Sequence, residues 1–266
     1  MTPTAACNVA SAALAFLGVL ASAAFAVPRG DLEPDLAWRN YLQNDTTLPP
    51  SYRFPHSQCF RTASLAHKLP ETLLLAVARG ESDFNAIARS KANAHGVMQI
   101  QWPGTARHLG IFRLTDLYDP CTNIEAGARY LNELVQQYDG NLHLALAAYN
   151  YGPSRIAKDG SDIPPGATWY SGYILRHLDY VLGDRNSSSP GVEHLYSELG
   201  RTTLVSFAEP YRADAFVSSL EQQSPALQLD WFRQGTGRFA VVVLYADKEE
   251  FRNSAALLAN AGFDLK

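Results

Sequence analysis

One carboxylate in this sequence is set apart by where it falls. Glu81 closes the apolar run LPETLLLAVARGES (69–82), four residues after Val77 and eight after Leu73. At helical spacing those three side chains share a face. Burial on that face disfavours the charged form of a carboxyl and raises its pKa, by up to ~3–5 pH units when complete. The C-terminal end of a helix, where the macrodipole is negative, pushes the same way. A carboxyl that keeps its proton near neutral pH can donate it, which is the task of a general acid. Position alone leaves the alternative open: a glutamate at a frayed helix end, turned to solvent.

Further residues follow in a fixed order. Glu81-Ser82 is succeeded by Ser90, by Gly96-Val97-Met98-Gln99, by Asp119-Pro120-Cys121-Thr122-Asn123-Ile124, and by Ala148-Tyr149-Asn150-Tyr151-Gly152-Pro153. Other chemistry is thinly supported. The seven histidines show neither HExxH nor paired ligand spacing, so each is read as a surface or satisfied core residue, and no metal or cofactor is expected. Gly235-Thr236-Gly237 precedes a strand-like run, not a helix, and is read as a hairpin turn instead of a phosphate loop.

The elements that must position these residues change type along the chain. From about 58 to 182 helical signals dominate: SQCFRTASLAHKL, a helix opened by Pro70, the amphipathic IEAGARYLNELVQQY, and LHLALAAYN, with no convincing strand. Asn123 is read as the cap of the third of these, not as a ligand. Residues 27–55 hold Pro28, Pro34, Pro49, Pro50 and Pro55 and are read as an irregular arm packed on the following domain. The segment 183–198 is a turn-rich linker. Beyond it TTLVSF, LQLDW and GRFAVVVLYA alternate with YRADAFVSSLEQQ and KEEFRNSAALLANAG, the order of a small α+β domain over 199–266.

Composition narrows the class. The 266 residues are 47% hydrophobic and 18% charged with net charge −4, which gives no electrostatic footprint for a nucleic-acid partner. Residues 1–26 carry no charged side chain and end Ala24-Phe25-Ala26, the pattern of a signal peptide cleaved after Ala26, with an uncleaved membrane anchor as the alternative. Export and cleavage would remove Cys7 and leave Cys59 and Cys121 as an even pair in an oxidising compartment. They are then either a disulfide or two buried thiols.

Taken in order, ES, GVMQ and AYNYGP resemble the lytic transglycosylases of the soluble-lytic-transglycosylase family, over about residues 56–182. The fold class expected is therefore a mainly α, goose-lysozyme-like catalytic domain (56–182) followed by the small α+β domain. The resemblance implies an exported enzyme that cleaves the β-1,4 bond between N-acetylmuramic acid and N-acetylglucosamine in peptidoglycan. Glu81 would be its single acid and base, the substrate's own 2-acetamido oxygen the nucleophile, and a 1,6-anhydro end the product. It implies further that Ser90 and Gln99 hydrogen-bond within the sugar cleft, with Gly96 allowing close approach and Met98 forming an apolar wall. Tyr149 would place a hydroxyl near Glu81 or the acetamido group, Asn150 would hold the loop or the sugar, and Tyr170 would match a tyrosine of the family's closing segment. There the chain departs from the family pattern, reading IPPGATWY (163–170). Cys59 and Cys121 match cysteines of a subgroup that accompanies secretion and conjugation machines. That match supports the disulfide and makes such an envelope machine a candidate partner beside peptidoglycan glycan strands. The C-terminal order is similar to sporulation-related repeat (SPOR) domains, which implies a glycan-binding tether; an unrelated interaction module is the alternative. Two other functions stay open: a lysozyme-type hydrolase on the same fold, and a catalytically silent peptidoglycan-binding protein.

Overall fold

The computed structural model of the chain describes residues 33–161, 163–183, 199–234 and 238–263. The expected leader with its cleavage site and Cys7, all but the first residue of the 183–198 linker, and the expected turn at 235–237 lie outside the described residues.

The helical domain is built around α3 (Glu71–Ser82), whose residues 72–80 are all buried. A helix apolar on every side belongs in the middle of a bundle, and α3 is flanked by α2 (Ser57–His67) and α7 (Pro165–Leu182). The approach to α7 is close. A Cβ added at Gly80 would lie 2.6 Å from Ile174 Cδ1 and 3.2 Å from Tyr173 Cε1, so any larger residue would have to push these side chains aside. α5 (Pro120–Gln137) packs on α2 and on α6 (Leu142–Tyr151), and α6 packs on α7. Both helices have side-chain caps: Asp119 Oδ1 accepts from Thr122 N at 2.8 Å and Asn141 Oδ1 from Leu144 N at 3.1 Å. A disulfide between Cys59 of α2 and Cys121 at the start of α5 joins these helices across 62 positions. Such a loop closure contributes about 2–4 kcal/mol in the usual chain-entropy account.

Three expectations need correction. The arm over 27–55 is not irregular throughout: Pro34–Asn44 is a helix, α1, with Pro34 in its first turn. Ala37, Trp38 and Tyr41 fall on one face and are buried. Trp38 Nε1 donates to Ser171 Oγ at 2.8 Å, and the Tyr41 and Thr72 hydroxyls are 2.8 Å apart, which fastens α1 to α7 and α3. The helical region also contains two-residue strands, β1 (Ala94–His95) and β2 (Ile100–Gln101), paired antiparallel ahead of the short α4 (Gly104–His108). Asn123 is not a cap. Asp119 with Pro120 starts α5 one turn earlier, which leaves Asn123 inside the helix and fully buried.

The C-terminal domain follows the expected order: β3 (Gly200–Phe207), α8 (Pro210–Gln223), β4 (Leu229–Arg233), β5 (Phe239–Tyr245) and α9 (Lys248–Asn260). The sheet is antiparallel in the order β3-β5-β4. α8 and α9 cover one face. On the other face Phe232, Val242 and Leu244 pack against Tyr180 of α7. Burial on both faces explains why β5 reads FAVVVLY without polar alternation.

The domains also meet through a buried ion cluster. Asp230 of β4 accepts from Arg79 of α3 and from Arg176 of α7, and Arg79 Nη1 lies 2.7 Å from His177 Nδ1. The Arg79 guanidinium also lies over the Tyr180 ring, 3.5 Å from its centroid. Burial alone would raise the Asp230 carboxyl, but the Arg176 and Arg79 guanidiniums together hold it well below the usual carboxylate range. His177 is driven down by burial and by the two arginines, and stays neutral.

Candidate active site

Glu81 is in the last turn of α3, with its side chain 6% exposed. The Gly80 crossing brings α7 close enough for Tyr170 Oη to donate to Glu81 Oε1 at 2.5 Å and for Tyr173 Oη to donate to Gly80 O at 3.2 Å. On the other side Arg233, the last residue of β4, places Nη2 3.6 Å from Glu81 Oε2. Burial raises the carboxyl above its ordinary value, and Arg233 and Tyr170 offset only part of that rise. Glu81 is thus a shielded acid with one hydroxyl donor and one cation beside it, a state that suits a proton donor. The solvent-turned alternative is excluded by its burial.

The segment after α3 folds under this acid. Ser82 Oγ donates to Val97 O at 2.7 Å. Gly96 has φ +77°, and a Cβ there would lie 2.3 Å from Leu117 O. Buried Asn123 clamps the loop: its Nδ2 donates to His95 O and Leu117 O, each at 2.9 Å, and its Oδ1 accepts from Met98 N at 2.7 Å. The residue expected to cap a helix therefore holds the floor of the site.

Of the residues expected at the site, Glu81, Ser90, Gln99 and Asn150 line a single cleft of about 1050 Å³. Ser90 Oγ accepts from Ala94 N at 3.0 Å, and Gln99, at φ 51°, donates from Nε2 to Gly96 O at 2.8 Å. Tyr149 donates its hydroxyl to Met98 O at 2.8 Å. Burial first, then the negative charge of Glu81, holds that hydroxyl protonated. The tyrosine that bonds Glu81 directly is Tyr170, itself kept protonated by burial and by Glu81. Met98 is the exception. It is fully buried and packs on Gly127 of α5, so it serves the core beneath the loop and is no wall of the cleft.

Sequence reasoning missed the other wall. Arg201, Thr203, Phe232, Arg233, Gln234, Phe239 and Val242 of the C-terminal domain line the same cleft. Asp83, after α3, is salt-bridged to Arg201. The lining includes the basic side chains of Arg89, Lys91, Arg201 and Arg233 against two acidic ones, Glu81 and Asp83; Arg79 belongs to the lining too, but its side chain is buried against Asp230. In a chain of net charge −4 this is a local reversal of sign. The one available signal was a pair of charges, Asp230 and Arg233, inside the apolar strand LDWFR, and no local pattern says where they point.

Residues 58–167 match the family described as Transglycosylase SLT domain. This stretch is similar to an SLT domain. It contains Glu81, Ser90, Gln99, Tyr149 and Asn150, while Tyr170 and the whole C-terminal domain lie beyond the match. The chain is 37% identical over 113 residues to the soluble lytic murein transglycosylase of Escherichia coli K12, covering 39% of this chain and 17% of that protein. It is 33% identical over 125 residues to a transglycosylase of Enterobacteria phage PRD1, covering 46% and 42%. The structure of the 70 kDa soluble lytic transglycosylase from E. coli superposes with a TM-score of 0.42 at 30% identity, covering 48% of this chain and 25% of that one. The chain thus spans less than half the length of these relatives, and the similarity is centred on the SLT-like domain.

Proposed function

We propose that the protein is a peptidoglycan lytic transglycosylase in which Glu81 is the single acid and base. The observation that carries this is the environment of Glu81: a buried carboxyl with raised pKa, bonded to Tyr170, opening on the cleft of an SLT-like domain. Glu81 protonates the oxygen between N-acetylmuramic acid and N-acetylglucosamine, and the C1–O bond breaks as the 2-acetamido oxygen of the muramic residue bonds to C1. The Glu81 carboxylate then takes the proton of the C6 hydroxyl as that oxygen attacks C1 and expels the acetamido oxygen. Glu81 ends protonated, and the products together have the composition of the starting glycan, with no water added. A two-carboxylate mechanism needs its second carboxyl roughly 5–9.5 Å away across the bond. The other acidic residue among the described lining, Asp83, is salt-bridged to Arg201 beside Glu81, which favours the neighbouring-group route.

Peptidoglycan lies outside the cytoplasm, so this reading takes the protein to be exported. The Cys59–Cys121 disulfide fits an oxidising compartment. A secretion or envelope machine remains the proposed setting. Mass spectrometry of sacculi digested by the protein, beside Glu81→Gln, tests the activity. Muropeptides one water lighter than hydrolysed ones, lost in the variant, are expected. Reducing-end products would make the enzyme a hydrolase, and intact sacculi that still retain the protein would leave a binding function.

A further inference from the structure

The SLT-like domain supplies the acid, but 7 of the 22 described residues lining the cleft belong to another domain. The C-terminal residue nearest the chemistry is Arg233, whose side chain is 26% exposed and faces the cleft between Glu81 and the Tyr170 ring. Its backbone is fixed. Arg233 N donates to Tyr173 Oη at 3.1 Å, and the same hydroxyl donates to Gly80 O, so β4 is hydrogen-bonded to the helix pair that frames Glu81.

This arrangement poses a chemical problem. From the elements packed around it, Glu81 is faced by Tyr149 of α6, Tyr170 of α7 and Arg233 of β4, with Asp83 next to it on its own segment. Arg233 is the cation of that group, and a cation beside an acid opposes the protonation the acid needs. The contact to Glu81, at 3.6 Å, is a charge contact and falls short of a hydrogen bond. A guanidinium fork is better matched by a carboxylate that it grips with two parallel N–H···O bonds. The cleft around it is rich in cations although the protein is acidic overall. Muramic-acid glycans carry carboxylates, on the lactyl ether where the stem peptide is absent and on the peptide where it is present.

We propose that the C-terminal sheet is the second wall of the substrate cleft and that Arg233 is its specificity-determining residue, pairing with Glu81 in the free protein and transferring to a carboxylate of the bound glycan. The transfer leaves Glu81 beside Tyr170 without its cation, so that binding of a charged strand itself favours the protonated acid. An uncharged strand fills the same cleft without releasing the pair. The inference rests on the glycan-cleaving function proposed above and adds the substrate group that is recognised and the residue that recognises it.

The test separates binding from turnover. Dissociation constants are measured in the full chain on a Glu81→Gln background, with and without Arg233→Gln. Three strands are compared: denuded glycan with free lactyl carboxylates, peptide-bearing glycan, and denuded glycan whose carboxylates are capped as methylamides. Losing a charge-assisted pair is expected to weaken carboxylate-bearing strands about tenfold and to leave the capped strand within about twofold. Arg233→Lys is expected to recover part of the loss. A loss confined to denuded strands assigns the lactyl carboxylate, and one confined to peptide-bearing strands assigns the peptide. An equal loss on all three strands, or no loss on any, overturns the proposal. Because no turnover is needed, this result stands apart from the sacculus digestion, which tests the function itself.

Discussion

Glu81 is an acid held at a cost to the fold. A carboxyl whose folded pKa is raised contributes stability below its ordinary value of 4.5, and that contribution is lost as pH rises through the folded value. The stability of the native protein relative to Glu81→Gln should therefore fall as pH is raised from about 4.5. The slope is at most about 1.4 kcal/mol per pH unit, and it levels off once the folded carboxyl has ionised. Thermal melts of both proteins from about pH 4 to about pH 8 check this across that window. Parallel curves would mean that the carboxyl is as well solvated folded as unfolded. At this scale the sequence was informative where a side chain belongs to a periodic element. Helical spacing put Glu81 on the face of Leu73 and Val77, which left a buried and a solvent-turned reading, and the structure decides for the buried one. Sequence reasoning failed at Met98 and Asn123. The GVMQ segment is a loop turned by positive φ at Gly96 and Gln99, so no period says which side chain faces the cleft. Asn123 stood in cap-like sequence, but Asp119-Pro120 opens the helix earlier and turns its amide to the loop.

At the scale of elements, the distance between α3 and α7 decides whether Tyr170 reaches the acid. Gly80→Ala puts a methyl 2.6 Å from Ile174 Cδ1. Overpacking of that kind costs about 1–3 kcal/mol, of which better helix propensity returns roughly 1 kcal/mol. We expect a lower melting temperature together with a fall in activity, since α7 carries both Tyr170 and Tyr173. Ile174→Val removes the obstructing Cδ1, so the double variant should regain part of both. A double-mutant cycle that shows no coupling would remove the close crossing from the account. α1 carries a lesson of the same kind. Its prolines suggested irregular chain, yet Pro34 in the first turn begins a helix, and Trp38 and Tyr41 one turn apart mark its buried face.

For the whole molecule, the buried cluster around Asp230 ties the sheet to the helices that carry the acid. Removing one partner of a buried ion pair leaves the other charge stranded, at about 3–5 kcal/mol. Asp230→Ala is therefore expected to destabilise the protein by that order and to lower activity, because Arg233 lies three residues along the same strand. Calorimetry beside a turnover assay checks it, and an unchanged melting temperature would show that the domains do not depend on each other. The depressed Asp230 carboxyl contributes stability that is present above its ordinary value of 3.8 and lost as pH falls through its lower folded value. The junction should therefore persist in acid longer than surface ion pairs. The order of elements on either side of this junction was legible, because period and turn residues act within a few positions. The junction itself was not, since Arg79 and Asp230 are 151 positions apart and no local pattern links them.

That separation has a consequence for how the protein comes into being. A chain made from its N-terminus exposes the helix of Glu81 long before the strand that neutralises Arg79 has emerged, so a cation destined for the interior must wait for its counter-charge. The cleft gains its second wall only once that strand and its neighbours have been made. A copy that lacks the sheet carries the acid without its frame.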